Sequence, residues 1–339
     1  MRAIDLFSGC GGLTLGLRQA GFTVLAGVDI EAAAVCVYKA NFPDIPVWTQ
    51  DIRTLGTSEM MDHLHLRVGD LDLLAGCPPC QGFSSVRTRN GSVSINDPRN
   101  DLIAEFTRYV RELRPKAVMM ENVPGLAEDD RFDQFHAELI SLGYQCDYEV
   151  LDAADYGVPQ RRERLIFIAS RFERVRFPDR APTHITVREA IAELPAAGTS
   201  GDTLHDLQEH RKERTMNLIR NIPHNGGSRN DLPRDMQLAC HQRCNGFRDI
   251  YGRMSWDDVA PTLTSGCVNP SKGRFLHPDL DRAITLREAA LLQSFPRDYI
   301  FDVQYGKTKI AAMIGNALPP EFIRRHAQQL FEHLQAHQE

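Results

Sequence analysis

A cysteine, an acid and a glycine loop in this chain are spaced as reacting groups would be. Cys80 closes the stretch Leu71-Asp72-Leu73-Leu74-Ala75-Gly76-Cys77-Pro78-Pro79-Cys80 and is followed by Gln81-Gly82-Phe83-Ser84. The apolar run predicts a buried strand over 71–75. Two prolines then restrict the loop, so one thiol is held with little backbone freedom where open α/β sheets place ligands. Taken alone, the same stretch also suits a plain turn with a half-buried cysteine. Glu121 ends a second apolar run, 117–120, and an acid there points into the same cleft as Cys80. Ser8-Gly9-Cys10-Gly11-Gly12 lies between a predicted strand, 4–7, and a predicted helix, 13–19. Its glycines let a ligand approach the backbone and the free N–H groups of the helix. Asp29 ends the next strand and has the offset from Gly9 of an acid that accepts hydrogen bonds from ribose hydroxyls. Thr14 occupies the third glycine's place in a dinucleotide loop, so a nucleoside without a pyrophosphate fits better than NAD.

These groups need a scaffold, and the pattern supplies one as far as residue 170. Strands are predicted at 4–7, 23–30, 71–75, 117–120, 144–151 and 165–169. Helices are predicted at 13–19, 31–41, 101–113 and 132–142, the third capped by Asp101 or Asn100. The alternation predicts an α/β fold with a doubly wound, mixed but mostly parallel sheet. Arg162 and Arg164 alternate on entry to the last strand and are expected to share a face. Residues 82–100 suit a lid and, equally, a plain disordered loop. The rhythm stops after Arg171. Short helices at 186–194 and 205–220 sit in otherwise irregular sequence, followed by helices at 284–292 and 321–338, with 307–314 leading into Gly315-Asn316-Ala317 between them. We therefore expect a catalytic and cofactor-binding domain over 1–176, a smaller irregular domain over 177–274, and a return to the first over 275–339.

Composition narrows the function classes. The 339 residues carry a net charge of −6, which does not advertise a polyanion partner, although a global sum hides local patches. Residues 174–274 hold a mild excess of Lys and Arg. No apolar run approaches the ~18 residues of a membrane span, so no membrane partner is expected. The start, Met1 to Phe7, reads as a strand and not a signal peptide. The eight cysteines are scattered and read as reduced thiols. The expected location is the cytoplasm.

The ordered motifs resemble those of the DNA (cytosine-5) methyltransferases, most closely the bacterial enzymes. Asp5-Leu6-Phe7-Ser8-Gly9-Cys10-Gly11-Gly12, Pro78-Pro79-Cys80-Gln81, Glu121-Asn122-Val123 and Gln160-Arg161-Arg162-Glu163-Arg164 match successive blocks of that family. Arg287-Glu288-Ala289 with Gln293-Ser294-Phe295-Pro296, and Gly315-Asn316-Ala317, match the last two. Each block is short, but order and spacing together are specific. The likeness leaves out 177–260, the family's variable target recognition region.

The resemblance implies a Rossmann-like sheet of the S-adenosylmethionine-dependent type and methyl transfer to C5 of a cytosine flipped out of duplex DNA. Cys80 would add to C6 of the ring and make C5 nucleophilic. Glu121 would contact N3 and the exocyclic amine. Arg164 would hold the base's O2 or a nearby phosphate, supported by Arg162. Phe7, Ser8, Gly9, Gly11, Gly12, Leu13, Asp29, Ile30, Asp51, Ile52, Pro79, Asn316 and Ala317 would bind S-adenosylmethionine. Core packing remains open for Phe7 and Ile30, and a helix cap for Asp51. Gln81, Ser84 and Arg99 would meet DNA. Arg248, Arg253 and Thr262 could read bases, or equally hold phosphates or the fold. The expected partners are double-stranded DNA and, as a candidate, a cognate restriction endonuclease; the protein itself is expected to be monomeric and associated with the nucleoid.

One departure is Cys77, where the family often has Gly. Cys77-x-x-Cys80 alone would suggest a redox pair, or half a zinc site with Cys240 and Cys244. Zinc on Cys80 would quench the nucleophile, so no metal is expected, but oxidation sensitivity is. Rival readings are a transfer RNA cytosine methyltransferase, disfavoured by the lack of a Cys-Phe-Thr tripeptide, and a catalytically silent nucleic-acid-binding module, disfavoured by the intact Cys80, Glu121 and Arg164.

Overall fold

The computed structural model describes residues 1–79, 102–207, 209–237 and 249–337. They fall into two compact units. The first comprises 1–156, 163–180 and the segment from Leu318 on; the second comprises 157–162 and 181–317.

The first unit is built on seven strands: β1 (Arg2–Leu6), β2 (Thr23–Asp29), β3 (Val47–Thr49), β4 (Leu73–Gly76), β5 (Ala117–Asn122), β6 (Gln145–Asp152) and β7 (Glu163–Ser170). Their order across the sheet is β3-β2-β1-β4-β5-β7-β6. The first five run parallel; β7 runs antiparallel to β5 and to β6. The mixed, mostly parallel sheet agrees with the alternation in the sequence. The order reverses at β1, which has β2 on one side and β4 on the other. Such a switch point opens a crevice at the carboxyl ends of the strands.

The central strands are buried on both faces, which is why 73–76 and 117–120 read as unbroken apolar runs. Leu74, Val118 and Met120 pack with Phe106, Tyr109, Phe132, Phe135 and Phe167 on one side. The helix Leu102–Leu113 contributes Phe106 and Tyr109, the helix Asp130–Ser141 the next two phenylalanines. On the other side the helix Pro320–Ala336 packs against α1 (Gly12–Gln19). The sequence pattern missed β3 and the helix Thr57–Leu64. Three residues are too few for a period-2 signal, and that helix buries only Thr57 and Met60.

The second unit has no named strand among the described residues; isolated bridges such as Gln160 to Ala260 and Arg253 to Leu276 replace them. It is held by buried polar side chains. Gln160 donates to Leu292 O and Gln293 Oε1 and accepts from Leu263 N. Gln293 in turn donates to Ile314 O and Ala317 O. The helix Leu286–Leu292 starts on a capping box between Thr285 and Glu288, and Arg287 reaches Asp202 and Tyr299 O. These inward bonds explain why 157–162 and 275–317 group with the irregular unit, whereas the sequence boundaries stood at 176/177 and 274/275. The expected helix over 205–220 is two helices, Thr203–Asp206 and Glu213–Asn221.

Arg253 is the centre of this unit and corrects an expectation. Its side chain is 0% exposed. Nε donates to Ile222 O, Nη1 to His277 O and Leu280 O, and Nη2 to Ile219 O and Asp281 Oδ1. A guanidinium has five N–H donors, and all five are engaged, so none is left for a DNA base. Of the roles open to Arg253, holding the fold is the one its geometry gives. Arg253→Ala would strand three buried carbonyls, of Ile219, Ile222 and His277, and is expected to destabilise the protein by roughly 3–5 kcal/mol. Thermal unfolding measures this; a changed target sequence with an unchanged melting temperature would sink the assignment.

Candidate active site

The strand register lines up one residue from each of four neighbouring strands. Leu6 pairs with Val28 and Gly76, and Gly76 with Met120. The residue after each of these is Asp29, Phe7, Cys77 and Glu121. They stand in a row at the carboxyl edge of the sheet, on either side of the switch point.

The β1 side of this row is a cradle of backbone N–H groups. Phe7 leaves β1 with φ +64°, a conformation that is strained for an aromatic residue and clusters at functional sites. Gly9 and Gly11 follow with φ +53° and +96°, which glycine adopts at little cost. The turn closes through Ser8 N to Val28 O and Gly11 N to Ser8 O, both 2.9 Å. Gly9 N donates to Asp29 Oδ2 at 2.7 Å and Glu31 N to Asp29 Oδ1 at 2.8 Å. Asp29 is thus locked in place, and each oxygen retains a lone pair for a further donor. Burial raises its pKa, opposed by those N–H bonds. Gly12 and Leu13 are buried at the start of α1.

Beneath the loop lies a group that the sequence reading did not single out. Asp5 is fully buried, and burial pushes its pKa up to about 8. Its Oδ2 accepts from Thr14 Oγ1 at 2.6 Å, and Thr14 Oγ1 meets Tyr38 Oη at 3.0 Å. Thr14, noted only as a missing glycine, therefore anchors the loop's floor. Asp5 Oδ1 and Ser8 Oγ are buried without a hydrogen-bond partner among the described residues.

Ile30, the next residue after Asp29, is 67% exposed, an unusual state for an isoleucine beside a core strand. Its exposure favours ligand contact over core packing. Ile52 is the reverse: its side chain belongs to the core. Asp51 accepts from Arg53 N, Nε and Nη2, and Arg53 holds its pKa below the usual value.

On the other side of the switch point, Pro78 is buried and Pro79 exposed. Asn122 Nδ2 donates to Pro78 O at 2.9 Å, which ties the cysteine loop to β5. Glu121 and Arg164 sit diagonally across the β5–β7 pair, since Glu121 opposes Ile166. Arg164 Nε lies 2.8 Å from Glu121 Oε1, and both side chains are largely buried. Burial and then Glu121 push the Cys77 thiol well above its usual pKa.

The printed bonds of Arg162 lie in the second unit, while Arg164 pairs with Glu121. Arg162 precedes β7, is buried, and donates to Leu263 O and Gly315 O within the second unit. Gly315 itself admits no side chain, because a Cβ would lie 2.0 Å from Thr264 O. Asn316 is exposed at the end of the helix Gly306–Asn316, with Ala317 half-buried beside it. Thr262 is exposed and donates to Arg161 O. Cys80, Gln81, Ser84, Arg99 and Arg248 lie outside the described residues, as do the 82–100 segment and Cys240 and Cys244.

Residues 1–332 match the family C-5 cytosine-specific DNA methylase. This chain belongs to that family. Among its relatives, the Type II methylase M.HgiDII of Herpetosiphon aurantiacus is 38% identical over 336 residues, covering 93% of this chain and 91% of that one. The Type II methyltransferase M1.HphI of Haemophilus parahaemolyticus is 37% identical over 330 residues, covering 94% and 83%. The crystal structure of a putative prophage-encoded DNA modification methyltransferase (E. coli) superposes with a TM-score of 0.71 at 27% identity, covering 99% of each chain. S. pombe Dnmt2 methyltransferase shares the fold, with a TM-score of 0.63 at 17% identity. The methylase is thus a DNA (cytosine-5-)-methyltransferase, and the row of Asp29, Phe7, Cys77 and Glu121 is its candidate active edge. No described helix is long and apolar enough to cross a membrane.

Proposed function

We propose that this methylase moves a methyl group from S-adenosylmethionine to C5 of a flipped cytosine in one specific duplex sequence, through a covalent bond from Cys80 to C6. The observation that carries this reading is the row at the carboxyl edge. It sets a nucleoside cradle at Phe7 to Asp29 beside the cysteine loop and the Glu121–Arg164 pair. The cradle fits the cofactor: among the described residues Asp5 Oδ1 and Ser8 Oγ lack hydrogen-bond partners, nothing beyond its chain neighbours lies within 4 Å of where a Gly9 Cβ would stand, and Ile30 offers an open apolar face.

When bound, S-adenosylmethionine supplies an electrophilic methyl on a sulfonium. Phe7, Ser8, Gly9, Gly11, Gly12 and Leu13 hold its methionine and sulfonium end, and Asp29 its ribose hydroxyls. Ile30 packs on the adenine, with Asp51 and the backbone at Ile52 at the ring's edge. Pro79 completes the set within this unit. Ile30→Ala is expected to weaken cofactor binding about tenfold, by the apolar area lost, while the melting temperature holds because the side chain is mostly exposed. Calorimetric titration checks this; an unchanged Kd would return Ile30 to plain surface.

Cys80 adds to C6 of the base, which makes C5 nucleophilic. Glu121 shares a proton with N3 and accepts from the exocyclic amine, drawing electrons out of the ring as the thiolate adds. A site closed to water favours the proton there. Arg164 fixes Glu121 from the side and offers its remaining N–H groups to O2 or a phosphate, and Arg162 braces the turn before β7. Once C5 carries the methyl group, loss of its proton expels Cys80. Flipping the base costs a few kcal/mol, which contacts from Gln81, Ser84, Arg99, Arg248 and Thr262 would offset. The Type II names of the relatives point to a cognate restriction endonuclease as partner.

The test is expression in a host that lacks cytosine methylation, followed by bisulfite sequencing. Protection of one cytosine within one short sequence is the expected result. Complete conversion everywhere, with the protein folded and soluble, overturns the reading.

A further inference from the structure

Far along the chain from the residues above, the last helix of the first unit carries a second cluster of chemistry-bearing side chains. Among the described residues, one group of His, Cys, Asp and Glu brings three ligand atoms within 4.8 Å of one another: Glu173, His333 and His337. His333 and His337 are one turn apart at the end of the helix Pro320–Ala336, so they share a face. Glu173 follows β7 and approaches from the sheet side; its Oε1 lies 3.7 Å from His337 Nε2. We propose that these three side chains bind a divalent transition-metal ion of the zinc class, which ties the end of the helix to the end of β7.

The hydrogen bonds around the cluster favour this. His337 Nδ1 meets His333 O at 2.8 Å. A carbonyl only accepts, so Nδ1 carries the proton and Nε2 presents its lone pair toward Glu173. Metal-bound histidines are held in this way, with the second nitrogen donating to a carbonyl. Ser170 Oγ meets His333 Nε2 at 2.8 Å and orients the second ring. Phe172 stacks on His337 with centroids 4.7 Å apart and walls the group on one side.

The donor set selects the ion. Two imidazoles and one carboxylate suit zinc, cobalt or nickel, whereas magnesium and calcium ask for oxygen ligands. Bonds of about 2.0–2.1 Å in a tetrahedron place ligand atoms roughly 3.3 Å apart. The 3.7 Å already separating Glu173 and His337 is close to that, and Glu173 is exposed and free to swing inward. Three protein ligands leave a fourth position for water. The cluster joins one helix end to one strand exit, so the role assigned is a staple: binding to the folded state alone raises stability with ion concentration.

The experiment uses the full-length protein, stripped with a chelator and titrated with Co2+. The expected result is one ion per chain with visible d–d bands of a four-coordinate nitrogen and oxygen site, and no thiolate charge-transfer band. Zn2+ should displace the cobalt and raise the unfolding temperature by several degrees. His337→Ala and Glu173→Ala, both at the surface, should each weaken binding by tenfold or more and abolish the thermal shift. Cys36→Ser, which removes an exposed thiol, should change neither. A thiolate charge-transfer band, binding unaltered in both His337→Ala and Glu173→Ala, or the absence of a stoichiometric site would each overturn the proposal. Methyl transfer by the stripped enzyme is expected to match that of the zinc-loaded enzyme at low temperature, which separates this site from the catalytic edge.

Discussion

A Cys80→Ser protein is expected to methylate DNA slower than wild type by about 10⁴-fold or more. Serine is close in size but loses the nucleophile, because a hydroxyl is far less ionised and less polarizable than a thiol. C5 of cytosine is a weak nucleophile until something adds at C6, so the substitution removes the step on which all others depend. Binding of duplex DNA and of cofactor should survive, since neither depends on the sulfur. A duplex with 5-fluorocytosine at the target gives the sharper readout. Fluorine cannot leave as a proton does, so wild type should remain bonded to the base and migrate as a protein–DNA adduct, while Cys80→Ser should not. An adduct formed by Cys80→Ser, or methylation at wild-type speed, would remove the thiol from the mechanism.

Glu121→Gln comes second, with an expected loss of 10²- to 10⁴-fold in kcat, the usual range for a positioned acid. The amide keeps the shape of the carboxyl but cannot share a proton with N3. It also leaves Arg164 beside a neutral group where the wild type has a 2.8 Å ion pair. That second effect belongs to stability, at about 1–3 kcal/mol for a largely buried charge. Single-turnover methylation and thermal unfolding separate the two: Arg164→Ala should share the stability loss, while the proton-sharing loss belongs to Glu121→Gln. A Glu121→Gln enzyme with unchanged kcat would show that C5 is activated without an acid at N3.

The sequence made the parallel half of the fold legible because 73–76 and 117–120 are buried on both faces and read as continuous apolar runs. β6 and β7 were seen as strands, but their direction was not, since antiparallel pairing at the end of a sheet leaves no mark on hydrophobic period. The glycine loop and Asp29 were legible because each constraint falls on a residue type, Gly for positive φ and Asp for paired N–H acceptance. Asp5 with Thr14 was not, because a buried carboxyl in a strand looks like any polar residue among apolar ones. The role of Arg253 stayed open between bases, phosphates and the fold for a similar reason. A basic residue in a polar stretch suggests a surface, and only the carbonyls that converge on it from 219, 222, 277 and 280 reveal otherwise.

Those carbonyls have an evolutionary consequence. Arg253, Gln160, Gln293 and Arg162 bond mostly to main-chain oxygens, and every residue type supplies the same oxygen. The polar clamp of the second unit therefore asks little of the identity of the side chains around it, in contrast to the apolar cluster of Leu218, Ile219, Ile222, Leu232 and Leu276. Its outer residues can be exchanged without disturbing the clamp, so the surface of this unit can diverge while the framework beneath it stays folded.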